Sequence, residues 1–153
     1  MTKVVIERLM IGAAPSSVWE VARDLTGYPR FMDQVMSVDR RQLPDGTEVT
    51  DWRVLFNGNE LQWTEVDEFF ADQRRMTFQQ LDGDLAEWRG SFQVLVHPDG
   101  VVGRYEIEFD LGVPALELVL HPLGEQAIRS NCEQMLQEME ARSRVKLNVD
   151  AAL

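Results

Sequence analysis

The chain is short of the residues that most recognisable enzyme mechanisms need. Its 153 residues include one cysteine, Cys132, and two histidines, His97 and His121. A lone cysteine excludes an internal disulfide framework and fits a reducing compartment, so cytoplasm is the default location. Each histidine precedes a proline, which biases it towards extended loop backbone. No cluster has zinc-ligand spacing, and no G-x-S-x-G elbow, P-loop or G-x-G-x-x-G is present. No metal or organic cofactor is implied. Positive charge is scarce too: 15 Lys and Arg stand against 26 Asp and Glu, for a net charge of -11. That balance speaks against nucleic acid, whose phosphates need a basic surface, and against an anionic membrane surface. No apolar run approaches the ~20 residues of a membrane span, and "MTKVVIERLM" lacks the apolar core of a signal peptide.

What is present points to a globular protein. Hydrophobic residues make up 44% of the chain, with four Trp and seven Phe. The length suits one domain, residues 1–153, able to bury roughly 70% of its unfolded surface. Turn signals recur at "LPDG" (43–46), "NGN" (57–59), "LDGD" (81–84) and "HPDG" (97–100), each rich in residues that accept tight-turn dihedrals. The stretches between read as strands near 34–43, 47–56, 60–70, 73–81, 85–97 and 101–111, with an opening strand at about 3–11. "RYEIEFDL" alternates cleanly, with Tyr105, Ile107, Phe109 and Leu111 on one face and charged residues on the other. That is a sheet with one dry face.

Helical periodicity appears twice. "APSSVWEVARDL" opens with Pro15 and gathers Val18, Trp19 and Ala22 on one side, and "YPRFM" predicts a second short helical turn. From about Leu123 to Arg144, Ile128, Cys132, Met135, Leu136 and Met139 form the apolar stripe of a long helix. Pro122 is expected to break or kink the chain just before it. The fold class is therefore α+β: a curved antiparallel sheet of about seven strands wrapped around a long C-terminal helix, with two short helices after strand one. Cys132 lies on the helix stripe, where a small core residue is a better reading than a nucleophile.

The strand "LQWTEVDEF" raises a sharper question. Alternation places Leu61, Trp63, Glu65, Asp67 and Phe69 on one face. If that face is interior, two carboxylates lie beside an indole, where an ion is costly unless paired or used. If it faces water, they are an ordinary acidic surface. A bulge can also flip a face, and alternation alone leaves the choice open. On the preceding strand Trp52 is a reasonable cavity wall, while Val54 and Phe56 read as plain core.

"APSSVWEVARDLTGYPRFM", "LQWTEVDEF", "RGSFQV" and "IRSNCEQML" together resemble the polyketide aromatase/cyclases of the START/Bet v 1-like helix-grip superfamily, and the chain also looks like coenzyme Q-binding START-like proteins. The pattern is more specific to the superfamily than to any one activity. The resemblance implies a deep cavity between sheet and helix. It implies that Tyr28, Met32, Trp63 and Phe92 stand at apolar cavity positions and that Asn131 points inward. It also sets a contrast: the tetracenomycin aromatase/cyclase carries an arginine at the position matching Asp67, so this chain reverses the charge. Arg53 and Tyr105 are the candidates for pairing with Glu65 and Asp67, and Met135 is core or cavity floor.

Two functions follow as expectations. In the first, a cyclase or cyclase/dehydratase acts on a polyketide chain, with Glu65 and Asp67 moving protons and Tyr28, Tyr105 or Asn131 binding an enolate oxygen. An acyl carrier protein is one way to present such a substrate. In the second, the protein binds a lipid, quinone or similar apolar molecule without chemistry.

Overall fold

The computed structural model describes the backbone of residues 1–56, 58–112 and 117–152, and the side chains of 1–56, 58–112 and 123–144. Strand β1 (Thr2–Ile11) leads into helix α1 (Pro15–Arg23) and a 3₁₀ turn (Leu25–Arg30). Six strands follow: β2 (Val35–Gln42), β3 (Glu48–Phe56), β4 (Asn59–Phe70), β5 (Arg75–Gly83), β6 (Glu87–His97) and β7 (Gly100–Asp110). Helix α2 (Glu117–Ala152) comes last. Every pairing is antiparallel, and the order across the sheet is β1-β7-β6-β5-β4-β3-β2. The hairpin succession thus forms a meander, and β1 returns to pair with β7. This is the curved, helix-gripping α+β fold expected from the turn spacing.

Alternation holds where it was clearest. Along β7, Val101, Gly103, Tyr105, Ile107 and Phe109 are buried while their neighbours are half-exposed. Helix α1 begins with Pro at its first turn and buries Val18, Trp19, Val21 and Ala22. On α2, Ile128, Cys132, Leu136 and Met139 lie in one hydrophobic cluster with the inner face of the sheet. Gly103 on β7 permits this approach, since a Cβ there would sit 3.1 Å from Leu136 Cδ2 and 2.9 Å from Met10 Cε.

Helix α2 departs from the expectation at both ends. His121 and Pro122, expected to precede it in extended or broken backbone, lie within it. Proline forfeits one backbone hydrogen bond, and a helix held elsewhere by tertiary packing absorbs that loss. The apolar stripe marks the packed middle of the helix and carries no signal about where its backbone ends.

Candidate functional site

The inner faces of β3 to β7, the 3₁₀ turn and the middle of α2 line a cavity with about 50 Å³ of free space, less than two waters' share of the liquid at about 30 Å³ each. Its wall is mostly aromatic. The Trp52 and Trp63 rings, paired across β3 and β4, stack with centroids 5.7 Å apart and planes 5° from parallel. Trp88 on β6 leans on Trp63 at 5.5 Å and stacks on Phe78 at 6.0 Å. Gly90, on the same face two residues after Trp88, makes room for this, because a Cβ there would lie 2.9 Å from the Phe78 ring. Leu25, Val54, Phe56, Met76, Ile107, Cys132 and Met135 fill the gaps between the rings.

The Trp63 face of β4 is the dry one. Glu65 is 3% exposed, and Trp63 Nε1 donates to its Oε1 at 2.6 Å. Asp67, one step along the same face, is half-buried and accepts from Thr50 Oγ1 at 2.5 Å, while that hydroxyl accepts from Trp52 Nε1 at 2.7 Å. Both carboxyl groups line the cavity. Burial, then the hydrogen bond and charge of Asp67, push the Glu65 carboxyl well above the ordinary carboxylate range, against the opposing Trp63 N–H. Among the described residues that line the cavity none is basic. Asp67 also borders a surface groove between α1 and β3, with Arg23, Arg40 and Phe69. One member of the carboxyl pair is therefore walled in, and the other reaches towards water.

The remaining polar groups are largely occupied by one another. The Tyr28 hydroxyl donates to the Ala22 carbonyl, so the hydrogen bond between the two phenols runs from Tyr105 to Tyr28. Burial pushes both phenols up, so they are neutral. The Cys132 thiol is pushed up to about 12, chiefly by burial, and is a protonated core group. Asn131 Nδ2 donates to the Leu55 carbonyl at 3.0 Å and ties α2 to the end of β3.

Of the residues expected at the site, the structure brings Tyr28, Trp52, Trp63, Glu65, Asp67, Tyr105, Asn131 and Met135 to the cavity. It does not bring Arg53. Trp52 and Val54 face inward, so the residue between them faces out, and Arg53 pairs with Glu60 at 2.5 Å on the solvent side. Met32 and Phe92 are fully buried but belong to the surrounding core rather than the cavity wall. Val54 and Phe56, read as plain core, line the cavity, as does Trp88, which sequence reasoning passed over. The signal for Trp88 was available: it shares a strand face with Phe92, four residues on, and alternation turns both inward.

The class of protein follows from this geometry: a curved sheet gripping a helix around an internal aromatic cavity. The family is shown by sequence. Residues 11–136 match the family model described as polyketide cyclase/dehydrase and lipid transport, and the chain belongs to that family. No curated protein matches it significantly in sequence. Solved structures share the fold. A protein from Thermus thermophilus is 23% identical with a TM-score of 0.83, covering 95% of this chain and 99% of its own. The Zhui aromatase/cyclase of a Streptomyces species is 15% identical with a TM-score of 0.78, covering 95% and 96%. Major latex-like protein 151 of Panax ginseng is 12% identical with a TM-score of 0.74, covering 93% and 97%. Among the described residues no helix is long and apolar enough to cross a membrane.

Proposed function

We propose that this protein binds a polyketide-like chain in the aromatic cavity and promotes its cyclisation and dehydration, with Glu65 and Asp67 as the proton-moving pair. The observation that carries the reading is a buried carboxyl with a raised pKa beside an indole and a second carboxyl, in a cavity that is otherwise apolar. A strongly perturbed group in a cleft, beside a specific charge partner, is the signature of a functional-site candidate. Ring closure needs an α-proton removed from one carbon and a proton delivered to the carbonyl oxygen that is attacked. Dehydration then needs a second α-proton removed and one supplied to the departing hydroxyl. Protonated Glu65 gives the proton to oxygen and its conjugate base takes the α-proton from carbon, so each step returns it protonated, while Asp67 links it to the solvent groove. The aromatic wall holds the reacting carbons close and excludes water. Ligand cavities commonly span about 300–1,000 Å³, so a substrate enters by parting the indoles or shifting α2.

The test is turnover of a polyketide chain, or a stable mimic, by wild type, Glu65→Gln and Asp67→Asn. The amides keep shape but cannot cycle a proton, so at least one should lose about 10²–10⁴-fold in rate while still binding ligand. Equal turnover in all three proteins would remove the pair from the mechanism. The apolar lining and the family's inclusion of lipid transport favour a second reading, a carrier for a lipid or quinone. Tight binding with no turnover by wild type across several chain lengths would select it.

A further inference from the structure

Three indoles line the cavity, and they are not alike in their hydrogen bonding. Trp52 Nε1 donates to Thr50 and Trp63 Nε1 donates to Glu65. Trp88 Nε1 is buried with no partner, on a residue 7% exposed. A buried N–H without an acceptor is rare and calls for an explanation. The ring neighbours of Trp88, Phe56, Trp63 and Phe78, offer no acceptor, and the Gln80 Oε1 on the adjoining strand β5, itself buried without a partner, is not hydrogen-bonded to it. The other donors named for an enolate oxygen are committed as well: Tyr28 to Ala22, Tyr105 to Tyr28, and one N–H of Asn131 to Leu55.

We infer that Trp88 Nε1 is the docking point for a neutral oxygen of the ligand, a ketone, enol or phenol oxygen on a ring system that slots among the indoles. This deepens the cavity reading above and rests on it. The ring supplies apolar area to the aromatic wall, and the oxygen supplies the acceptor that the wall lacks. A carboxylate is the wrong acceptor, because it would bring a third acidic group to the cavity of Glu65 and Asp67, where no basic side chain among the described residues answers it. The oxygen bound at Trp88 then fixes the orientation of the ligand in the cavity. Trp88 is thus a specificity-determining and positioning residue.

The probes are 1-tetralone and tetralin, two bicycles of nearly the same shape that differ by one ketone oxygen. Both are titrated into ¹⁵N-labelled wild type and Trp88→Phe, with the indole N–H signals assigned by single Trp→Phe variants. The Trp88 signal should move downfield with tetralone and not with tetralin. Trp88→Phe should lose about three- to tenfold in tetralone affinity, the worth of one net hydrogen bond, and less than twofold in tetralin affinity. Tetralin-1-carboxylate should bind more weakly than either. Equal losses for both neutral probes, equal shifts of the Trp88 signal, or a carboxylate that binds best would each overturn the assignment while leaving an apolar cavity in place. If neither tetralin nor tetralone binds wild type, the cavity reading falls and the assignment falls with it. The wild-type shift comparison decides the question even if Trp88→Phe folds poorly.

Discussion

The two faces of the β3–β4 ladder carry the same chemistry in opposite environments. On the outer face Asp51 accepts from Arg41 at 2.6 and 3.3 Å and from Thr64 Oγ1 at 2.5 Å. On the inner face Asp67 accepts from Thr50 Oγ1 at the same 2.5 Å, and Glu65 meets an indole N–H. Each face thus offers a threonine hydroxyl to an aspartate, but only the outer one adds a cation. The Arg41 hydrogen bond holds the Asp51 carboxyl below the usual carboxylate range; burial and Asp67 hold Glu65 above it. Residue type does not decide which carboxyl keeps its proton. The neighbours do, and alternation along two paired strands puts both kinds on opposite faces of one ladder.

Removing the inner wall should cost the most. Trp63→Ala deletes a buried ring that stacks on Trp52 and caps Glu65, and should lower the free energy of unfolding by about 3–5 kcal/mol, read from urea midpoints. A loss under about 1 kcal/mol would mean that this face is already loosely packed. The matched threonines sharpen the comparison further. Thr50→Val leaves the Trp52 N–H and an Asp67 oxygen without their partner and should cost about 2 kcal/mol, whereas Thr64→Val leaves Asp51 with Arg41 and water and should cost about 0.5 kcal/mol. Similar costs would erase the distinction between the faces.

Titration should separate the faces by sign. The folded-state pKa of Glu65 is raised, so its contribution to stability is full below the ordinary value of 4.5 and is lost as pH rises through the folded value. Asp51 is lowered, so its contribution is present above the ordinary value of 3.8 and is lost as pH falls through the folded value. Glu65→Gln should therefore gain on wild type as pH rises above about 4.5, by at most about 1.4 kcal/mol per pH unit. Any activity that needs protonated Glu65 should decline only as pH rises through the raised folded-state value, at the upper end of that window. A stability difference that stays flat from pH 4 to 9 would contradict the buried assignment. Arg41→Ala should have the smallest effect of the set, and added salt should shrink it further, as expected for an exposed pair.

Much of this arrangement was legible in the sequence. The Gly- and Asp-rich turns spaced the seven strands, and strict alternation turned Tyr105 and Ile107 inward; it put Trp63 and Glu65 on one face of β4 without saying which face was interior. Arg53 shows how that reading fails when a second idea overrides it. The Trp52/Val54/Phe56 pattern already sent Arg53 outward, and pairing it with Glu65 put charge complementarity ahead of the pleat. Trp88 was missed for another reason: alternation says which face a residue takes, but not how far along the strand the cavity lies. That depends on where the bulge between Thr64 and Glu65 re-registers β5 against β4, and on which rings happen to stack. The free volume is likewise a property of packed rings in three dimensions and leaves no trace in spacing. The ends of α2 were misjudged because helix length was read from its buried stripe.

The incompletely filled interior also has a mechanical consequence. About 50 Å³ of free space per molecule is about 30 mL/mol, and the volume lost on unfolding scales with such space without equalling it. Hydrostatic pressure therefore favours the unfolded chain through this void, and the aromatic wall around the cavity is where compression should first be felt. A ligand that occupies the space removes part of that volume difference. The pressure needed for unfolding should rise with ligand occupancy, beyond what the binding free energy alone supplies.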